Sequence, residues 1–408
     1  MATFGRDTEK LLFRHEEGAT FLNHGSWGSV PRPVYDERLR LLDEQESAPD
    51  RWFRWRVADL WTDNLEAACR FVGAQFQNTA FVRNATTAVN TVLKSLPLKA
   101  GDAILVYSWT YGAVRKICDA TAQRTGAEVL SVDIKIPIKS RHDIVAQYRE
   151  MLDTHPNVKI AVLELISSPT ATAMPYMELT KLCRERGVLV LLDGAHGPGQ
   201  VALNLEELGQ GGVDFFTGNF HKWVYATRGC AILWVHPKHH KVIRPITTGH
   251  YFNHEIWQED FMTQGTADNT AYYTCRKATE FYEGIGGMEA IVGYNSQLAD
   301  EAVALLTAAW GTAKFPIPKD MEAPCMRVVR LPDLTQFPVE QDPETVFGDM
   351  LPLMKTLADR FRIYAVTLYI HGGPWVRISS QVYNSLDDYR KLADAILTLK
   401  QEGASGDK

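Results

Sequence analysis

Cysteine is scarce in this sequence, and the cysteines that occur are not spaced as metal ligands or redox pairs. The 408-residue chain has six of them, with no CxxC pair and no Cys/His spacing of the zinc-binding kind. This pattern excludes the common zinc and thioredoxin-like motifs, so we predict no metal site and reduced, mostly buried thiols. The six are Cys69, Cys118, Cys183, Cys230, Cys275 and Cys325.

The chain also lacks an excess of basic charge and any long apolar run. Its 43 Lys and Arg residues are fewer than its 49 Asp and Glu residues, and the formal net charge is -6. Because the basic residues are dispersed, no nucleic-acid partner is expected. No stretch approaches the roughly 18 apolar residues of a membrane span, and the first ten residues carry charge where a signal peptide is apolar. We therefore predict a cytoplasmic protein with no membrane partner.

A dinucleotide-binding fingerprint is missing as well. No GxGxxG follows the first predicted strand, and the Gly211-Gly212 pair precedes a strand instead, which disfavours a Rossmann dehydrogenase. Between about residues 60 and 235, helical stretches alternate with short apolar runs, as in βα units around a mostly parallel sheet. The predicted strands are 102–107, 129–133, 159–165, 188–192, 214–217 and 231–235. The predicted helices are 60–73, 86–96, 111–124, 143–153 and 177–186.

The pattern changes after about residue 270, where two long helical stretches precede strand-like segments and a last helix. A chain of 408 residues is long enough for one large and one smaller domain. We predict an N-terminal segment over residues 1–30, a large domain over 31–270 and a small α+β domain over 271–408, with a frayed tail from residue 401. The C-terminal helices are predicted at 271–284, 288–309 and 386–399, and the strands at 326–331, 363–368 and 375–379.

Open α/β sheets bind ligands beyond the carboxyl ends of their strands, and two strand ends carry notable polar side chains. The apolar run 188–192 ends in Asp193, and Lys222 follows a second apolar strand 29 positions later (222 − 193). Alone, Asp193 could cap a turn and Lys222 could be an exposed lysine. Together they match pyridoxal 5′-phosphate, which needs an amine for its aldehyde and a carboxylate for its ring nitrogen. His196, three residues past Asp193, is a candidate third member.

These residues resemble the class V aminotransferases of fold type I over nearly the whole chain. The segments that carry the resemblance are 21–28 (FLNHGSWG), 193–196 (DGAH) and 221–223 (HKW) with Arg228-Gly229. They are most similar to the isopenicillin-N-epimerase-like branch, which includes the ergothioneine-pathway C–S lyases. The resemblance implies an aspartate-aminotransferase-like α/β fold with a mostly parallel seven-stranded sheet and a small α+β C-terminal domain.

The resemblance also implies how the coenzyme is held. Lys222 would bind it as a Schiff base, Asp193 would protonate its ring nitrogen, and His196 would approach its O3′. Tyr111 would stack on the pyridine ring, with Trp109 as the alternative. The residues implied around the phosphate are Ala85, Thr86 and Thr87, which follow Asn84 at a predicted helix start, together with Asn219 and His221.

Substrate and subunit contacts follow from the same resemblance. Arg377 would grip the α-carboxylate of a small amino-acid substrate, with Asn23 and His24 also at the substrate. The loop around Thr266 would reach the phosphate of a neighbouring subunit, which implies an obligatory homodimer with shared active sites. The segment 50–56 (DRWFRWR) could stack bases, but in an acidic protein we interpret it as a subunit contact or an active-site wall.

The reaction is less specified than the coenzyme. A cysteine desulfurase needs a catalytic cysteine before Arg377, but residues 358–375 contain none, and the nearest, Cys325, lies on or near a predicted strand. The favoured reaction is β-elimination from a cysteine conjugate or sulfoxide, through loss of the Cα proton to Lys222 and a quinonoid carbanion. Epimerisation and β- or γ-replacement stay open, and transamination is less favoured. Epimerisation needs a second acid/base group, for which the candidates are Tyr251, His250 and His371.

A non-catalytic relative that keeps the fold only for dimerisation is the competing hypothesis. Such a chain would be expected to lose Lys222, Asp193 or Arg377, and all three are present. We therefore predict an enzyme, a pyridoxal-phosphate-dependent lyase.

Overall fold

A seven-stranded sheet organises the first part of the chain in the computed structural model, which describes residues 4–341 and 347–406. The strands are β1 (Thr20–Phe21), β2 (Thr79–Val82), β3 (Ala103–Tyr107), β4 (Glu128–Val132), β5 (Val158–Glu164), β6 (Leu189–Asp193), β7 (Phe215–Asn219), β8 (Ala231–Val235), β9 (Met326–Arg330), β10 (Glu340–Gln341), β11 (Phe347–Asp349), β12 (Ile363–Tyr364), β13 (Val366–Ile370) and β14 (Gly373–Ser379). The sheet order is β2-β8-β7-β6-β5-β3-β4. Only β8 runs antiparallel to its neighbours β2 and β7.

Burial on both faces explains why the strands of this sheet are near-continuous apolar runs. Every residue of β3, β7 and β8 is buried, as expected where helices cover both sides of a parallel sheet. The six predicted strands agree with β3 to β8 within two residues at each end. The mostly parallel seven-stranded sheet is therefore confirmed for the described residues.

Helices follow most strands. They are α1 (Arg6–Leu12), α2 (His24–Trp27), α3 (Arg32–Ser47), α4 (Pro49–Arg51), α5 (Val57–Val72), α6 (Ala85–Ser95), α7 (Gly112–Thr125), α8 (Arg141–Thr154), α9 (Tyr176–Arg184), α10 (Leu205–Gly211), α11 (Phe220–Trp223), α12 (Glu259–Met262), α13 (Cys275–Gly284), α14 (Gly287–Trp310), α15 (Leu351–Phe361) and α16 (Leu386–Gly406). A π-helical turn, Trp52–Arg56, joins α4 to α5. Over the described ranges, no helix is both long enough and apolar enough to cross a membrane.

A frayed tail is predicted from residue 401, and this prediction is wrong for residues 401–406. Helix α16 continues to Gly406, and an ion pair of 2.7 Å joins Glu402 to Arg360 of α15. The predicted strand 363–368 is also divided, because β12 pairs with β1 whereas β13 pairs with β14. Residues 407 and 408 lie outside the described residues.

A smaller antiparallel sheet forms the C-terminal part of the fold. Its order is β10-β11-β13-β14-β9, and its apolar face packs with residues of α14 and α16 in a second core. The two-residue strand β1 pairs in parallel with β12, so the N-terminal segment is attached to the C-terminal part. The predicted domain boundaries at residues 30 and 270 stay predictions.

Gly28 allows the N-terminal segment to pack closely against the end of the large sheet. It follows α2 with φ 65° and ψ 171°, a backbone region that essentially only glycine adopts. A Cβ at this position would lie 1.9 Å from the carbonyl oxygen of His221. The guanidinium of Arg228 donates to the carbonyl oxygens of Trp27 and Gly28, at 3.1 and 3.0 Å. The backbone of the segment is thus in contact with the turn that carries Lys222.

Replacing Gly28 with alanine should therefore destabilise the protein. The strained backbone and the contact with His221 together predict a loss of about 2 kcal/mol or more in the free energy of unfolding, measured by chemical denaturation. The matched control is Gly293→Ala in the middle of α14, where a Cβ would meet nothing within 4 Å. That variant should be neutral or gain about 0.5 to 1 kcal/mol. Equal losses in both variants would contradict the argument.

Candidate active site

A cavity of about 200 Å³ lies at the carboxyl edge of the large sheet. Its lining brings together side chains from the ends of β5, β6 and β7 and from the start of α6, as expected for an open α/β fold. The polar residues of the lining include Asn84, Glu164, Asp193, His196, Asn219 and Lys222. Lys222 and Asp193, predicted to act together, therefore share one cavity.

The amine of Lys222 is prepared to act as a nucleophile. Lys222 lies on α11, the short helix directly after β7, and its Nζ is 3.1 Å from Nε2 of His196. Burial, followed by the positive charge of Arg377, lowers the pKa of Lys222 to about 7, while Asp193 and Glu164 act in the opposite direction. A substantial fraction of neutral amine is thus present near neutral pH, and the neutral form attacks an aldehyde.

His196 is held as a neutral ring of one tautomer. Its Nδ1 accepts the indole N–H of Trp223 at 3.3 Å, and an indole nitrogen is only a donor. The single ring hydrogen is therefore on Nε2, directed at the amine of Lys222. Burial, then the charges of Lys222 and Arg377, lowers the pKa of His196 well below its ordinary value, so the ring adds no charge to the cavity.

Asp193 ends β6 as a buried carboxyl with 4% exposure. Its Oδ1 accepts the backbone N–H of Ala195 at 2.9 Å. Burial raises the pKa of Asp193, and the Ala195 hydrogen bond and the charge of Lys222 oppose this rise. Across the described residues, no ion pair within 4.0 Å involves Asp193. A buried carboxyl with so few partners favours a ligand that brings a positive or proton-bearing atom.

Several hydrogen-bond donors at the start of α6 are already bonded within the protein. Asn84 Oδ1 accepts the backbone N–H and the hydroxyl of Thr87 at 2.8 and 3.0 Å. Asn219 Oδ1 accepts the backbone N–H of Ala85 at 3.0 Å. Ala85, Thr86 and Asn219 line the cavity, and of these three only Thr86 is exposed. Thr87 lines a different cavity. A helix start remains a suitable place for a phosphate.

His221, the residue before Lys222, also lines the cavity. Its Nδ1–H donates to the carbonyl oxygen of Cys230 at 2.8 Å, so Nε2 of the neutral ring is an acceptor. Burial is the main reason that the pKa of His221 falls to about 4. To donate to an anion the ring must take a second proton, and the charge of a bound phosphate would favour that.

Of the two aromatic candidates, Tyr111 is the one at the cavity. It caps α7, is 47% exposed and lines both the first cavity and a second one beside it. Trp109 is fully buried, and its indole N–H donates to Nε2 of His371 at 3.0 Å. The geometry therefore favours Tyr111 for stacking on a coenzyme, while Trp109 connects the large sheet to the turn between β13 and β14.

Arg377 lies at a second cavity of about 510 Å³, which shares Lys222 and Tyr111 with the first. Its Nη1 donates to the carbonyl oxygen and the hydroxyl of Ser168 at 2.7 and 3.1 Å. Its Nη2 donates to Asn23 Oδ1 at 3.1 Å and to Ser26 Oγ at 2.7 Å. Its Nε is buried with no partner among the described residues, and burial lowers the pKa of Arg377 to about 10. The guanidinium is thus fixed in place with one donor still unpaired.

His24 was predicted at the substrate, but it lines neither of these cavities. It is fully buried, with Nδ1 2.9 Å from the hydroxyl of Tyr383 and Nε2 2.8 Å from the carbonyl oxygen of Lys222. Burial lowers its pKa to about 3. Within this chain, His24 supports the backbone of Lys222, and its contact with a substrate stays a prediction.

Several other predicted residues also lie away from both cavities. Thr266 is exposed and does not line them, so its predicted contact with a neighbouring subunit stays a prediction. None of the three candidates for a second acid/base group, His250, Tyr251 and His371, lines them either. The cysteines are free and buried, and none is in the lining.

Sequence reasoning missed Glu164 and Ser168, both of which line the cavity. Glu164 ends β5 and lines the cavity, where it accepts the backbone N–H of Tyr111 at 2.7 Å. The only signal was a carboxylate at the end of an otherwise apolar run, which is the signal that identified Asp193. Trp27 is 62% exposed at both cavities.

Comparison with known proteins identifies the family. The protein-family model described as "Aminotransferase class-V" matches residues 53–329. The chain belongs to this family. Pyridoxal phosphate is the cofactor of the family, which confirms the predicted cofactor. The lysine, the buried carboxyl, the exposed aromatic ring and the helix start described above fit such a coenzyme.

Relatives with different reactions resemble the chain over most of its length. It is 29% identical to the "Probable L-cysteine desulfhydrase, chloroplastic" of Arabidopsis thaliana, covering 97% of this chain and 86% of the relative. It is 23% identical to the "Hercynylcysteine sulfoxide lyase" of Schizosaccharomyces pombe, with 95% and 98% covered. It is 27% identical to the "Isopenicillin N epimerase" of Amycolatopsis lactamdurans, with 95% and 96% covered.

Solved structures support the fold. A mutant of C-DES with glycine covalently linked to the PLP cofactor matches with a TM-score of 0.78 at 17% identity, covering 93% of this chain and 96% of the other. A complex of "the cystine C-S lyase C-DES" with cysteine persulfide matches with a TM-score of 0.77 at 18% identity, covering 93% and 97%. The predicted fold class, with its small C-terminal domain, is confirmed.

The lowered pKa of Lys222 predicts how the coenzyme attaches. When pyridoxal phosphate is added to the apoprotein, the rate of attachment should rise with pH and level off a little above 7, because the neutral amine is the reactive form. Absorbance of the bound coenzyme follows the rate. Lys222→Ala should bind no coenzyme that borohydride can fix. A rate that keeps rising toward 10.5, the ordinary pKa of a lysine, would contradict the assignment.

Proposed function

We propose that the protein is a pyridoxal-phosphate-dependent lyase that cleaves the carbon–sulfur bond of a cysteine conjugate or its sulfoxide by β-elimination. The observation that carries the proposal is the shared cavity in which the amine of Lys222 lies with Asp193 and adjoins Arg377. Relatives named as an L-cysteine desulfhydrase and a hercynylcysteine sulfoxide lyase support the choice of a C–S bond.

Each residue has a defined task in this proposal. When bound, pyridoxal phosphate supplies an electron sink at the α-carbon of the substrate. Lys222 would hold the coenzyme through its aldehyde and, as a neutral amine, would take the Cα proton of the substrate. Asp193 would keep a proton on the ring nitrogen, and His196 presents Nε2–H beside the amine. Tyr111 would contact the ring.

The phosphate belongs at the start of α6 in this proposal. Ala85, Thr86, Asn219 and His221 surround that end of the cavity. Because the amide of Ala85 and the donors of Thr87 are already bonded within the protein, Thr86 and His221 are the side chains best placed to bind the phosphate.

Arg377 orients the substrate. Its guanidinium binds the α-carboxylate in exchange for one of its hydrogen bonds to Ser26 or Ser168, while Asn23 holds Nη2. This contact fixes which Cα bond is broken. In the net reaction the Cβ–S bond breaks and its electrons leave with sulfur. A cysteine conjugate and water then give a thiol, pyruvate and ammonia. The second cavity of about 510 Å³ is the space available for the sulfur substituent.

Epimerisation is the second candidate, because an isopenicillin N epimerase is among the relatives. It needs an acid on the opposite side of the α-carbon from Lys222. Within the described part of this chain, the predicted groups do not line the cavities, and His371 is bonded to Trp109. Elimination needs no such second group, so the geometry favours it. β- or γ-replacement would use the same first steps.

The reaction can be tested with a panel of S-substituted cysteines and their sulfoxides. We expect equimolar pyruvate and ammonia from at least one of them, with a fall of about 10²- to 10⁴-fold or more in Lys222→Ala, because the general base is lost. Lys159→Ala, a change of the same type at the start of β5, is the control. Cα–H exchange into deuterated water without any pyruvate would favour epimerisation instead.

We also propose that the protein acts as a homodimer. The π-helical turn after α4 exposes Phe53 at 42% and Trp55 at 64%, and Phe252 on a separate loop is 54% exposed. Large aromatic side chains in contact with water are typical of subunit interfaces. A neighbouring subunit would also explain the exposed position of Thr266.

The six unpaired thiols are compatible with the predicted cytoplasmic location.

Trp55→Glu tests the dimer. A charge in the interface should shift the protein to the monomer, seen by analytical ultracentrifugation, and weaken coenzyme retention, because a shared site would be incomplete. Leu11→Glu is the control, since Leu11 is 68% exposed but lies outside the aromatic segment 50–56. A wild-type protein that is monomeric with its coenzyme bound would overturn the proposal.

A further inference from the structure

Glu164 is a second buried carboxyl at the coenzyme site, and in the described part of the chain no ion pair within 4.0 Å involves it. It is 4% exposed and lines the same cavity as Asp193. Its Oε1 accepts the backbone N–H of Tyr111 at 2.7 Å, and its Oε2 lies 2.7 Å from the hydroxyl oxygen of Tyr107. One hydrogen bond joins β5 to Tyr107 at the end of β3, and the other joins β5 to Tyr111, which lines the cavity.

The sheet register places Glu164 directly beside Asp193. The two residues are Cα partners on the parallel strands β5 and β6, so their side chains leave the same face of the sheet from strands about 4.8 Å apart. Two carboxylates at this separation in a buried site do not both ionise easily. One of the two is expected to keep a proton.

The neighbours of the two carboxyls indicate which one keeps that proton. A protonated carboxyl needs an acceptor for its O–H. Glu164 has one, because the hydroxyl oxygen of Tyr107 lies 2.7 Å from its Oε2 and can accept as well as donate. Among the described residues, the hydrogen-bond partner of Asp193 is the Ala195 amide, which is a donor, and Asp193 has the stronger effect on the charge of Lys222.

We propose that Glu164 is a positioning residue that works as a neutral, protonated carboxyl. It anchors the amide of Tyr111 and the hydroxyl of Tyr107, and it leaves Asp193 as the one anion of the pair. The inference rests on the proposed function in one respect: Asp193 is the carboxyl that meets the coenzyme ring.

The charged and titratable groups around Glu164 agree with this assignment. They are Asp193 on β6, Tyr107 on β3, Tyr148 on α8 and Lys222 on α11. Burial, followed by the negative charge of Asp193, raises the pKa of Glu164 to about 8, against the hydrogen bonds from Tyr107 and from the backbone amides of Tyr111 and Ser168. The neutral form is therefore the main one at neutral pH.

The first test compares the same chemical change on neighbouring strands, Glu164→Gln and Asp193→Asn. The probe is pyridoxine 5′-phosphate, which has the ring and the phosphate but no aldehyde, and its affinity is measured by tryptophan fluorescence. Gln copies a protonated Glu, since its amide can donate to Tyr107 while its oxygen accepts from Tyr111. We expect Asp193→Asn to weaken binding by about tenfold or more and Glu164→Gln by less than about threefold.

Glu164→Leu completes the series. It keeps the size of the side chain but leaves the Tyr111 amide and the Tyr107 hydroxyl unpaired, so binding should again weaken by about tenfold or more. If Glu164→Gln weakens binding as much as Asp193→Asn, Glu164 acts as an anion and the inference is wrong. If Glu164→Leu binds like the wild type, Glu164 positions nothing.

The second test does not depend on the coenzyme. A folded-state pKa near 8, above the ordinary 4.5, means that the folded protein holds a proton that the unfolded chain releases, so stability falls as pH rises between these values. The thermal midpoint of Glu164→Gln should therefore gain on that of the wild type as pH rises from about 5 to about 8. A constant difference would show that Glu164 is ionised throughout. If wild-type protein binds no pyridoxine phosphate but this trend is present, the proposed function fails and the protonation of Glu164 stands.

Discussion

The buried amine of Lys222, held between charges of both signs, sets the chemistry of this site. Loss of hydration and the charge of Arg377 favour the neutral amine, whereas Asp193, and Glu164 when it is ionised, favour the ammonium form. A unit charge about 5 Å away contributes on the order of 3 kcal/mol at an effective dielectric constant near 20, or about two pKa units. A single additional carboxylate is thus enough to change the protonation state of the amine, which is why the ionisation of Glu164 matters.

The backbone that carries Lys222 is held as firmly as its side chain. Nε2–H of His24 donates to the Lys222 carbonyl at 2.8 Å, and Gly28 leaves room for the carbonyl of His221. Gly199 approaches the next carbonyl so closely that a Cβ would lie 2.5 Å from the oxygen of Trp223. Three successive carbonyl groups are therefore constrained, and the direction of the amine follows from these contacts.

The sequence predicts polar groups at strand ends well, because a carboxylate or a lysine after an apolar run is costly to bury without a partner. This argument found Asp193 and Lys222, and it could have found Glu164. It could not show that the donors of Thr87 are bonded to Asn84, or that His24 is bonded to the carbonyl of Lys222. Those outcomes depend on which partner each polar group finds, and partners distant in sequence become neighbours only when the chain is folded.

In the proposed site, the coenzyme end and the substrate end are built by different parts of the chain. Asp193 and Lys222 come from adjacent strand ends of the large sheet, whereas Arg377 comes from β14 and is bonded to Asn23 of the N-terminal segment and Ser168. Changes in the terminal parts can therefore alter how a substrate is presented while the coenzyme site stays the same. This separation explains why family membership determines the cofactor, while relatives over nearly the same length include desulfhydrases, a sulfoxide lyase and an epimerase.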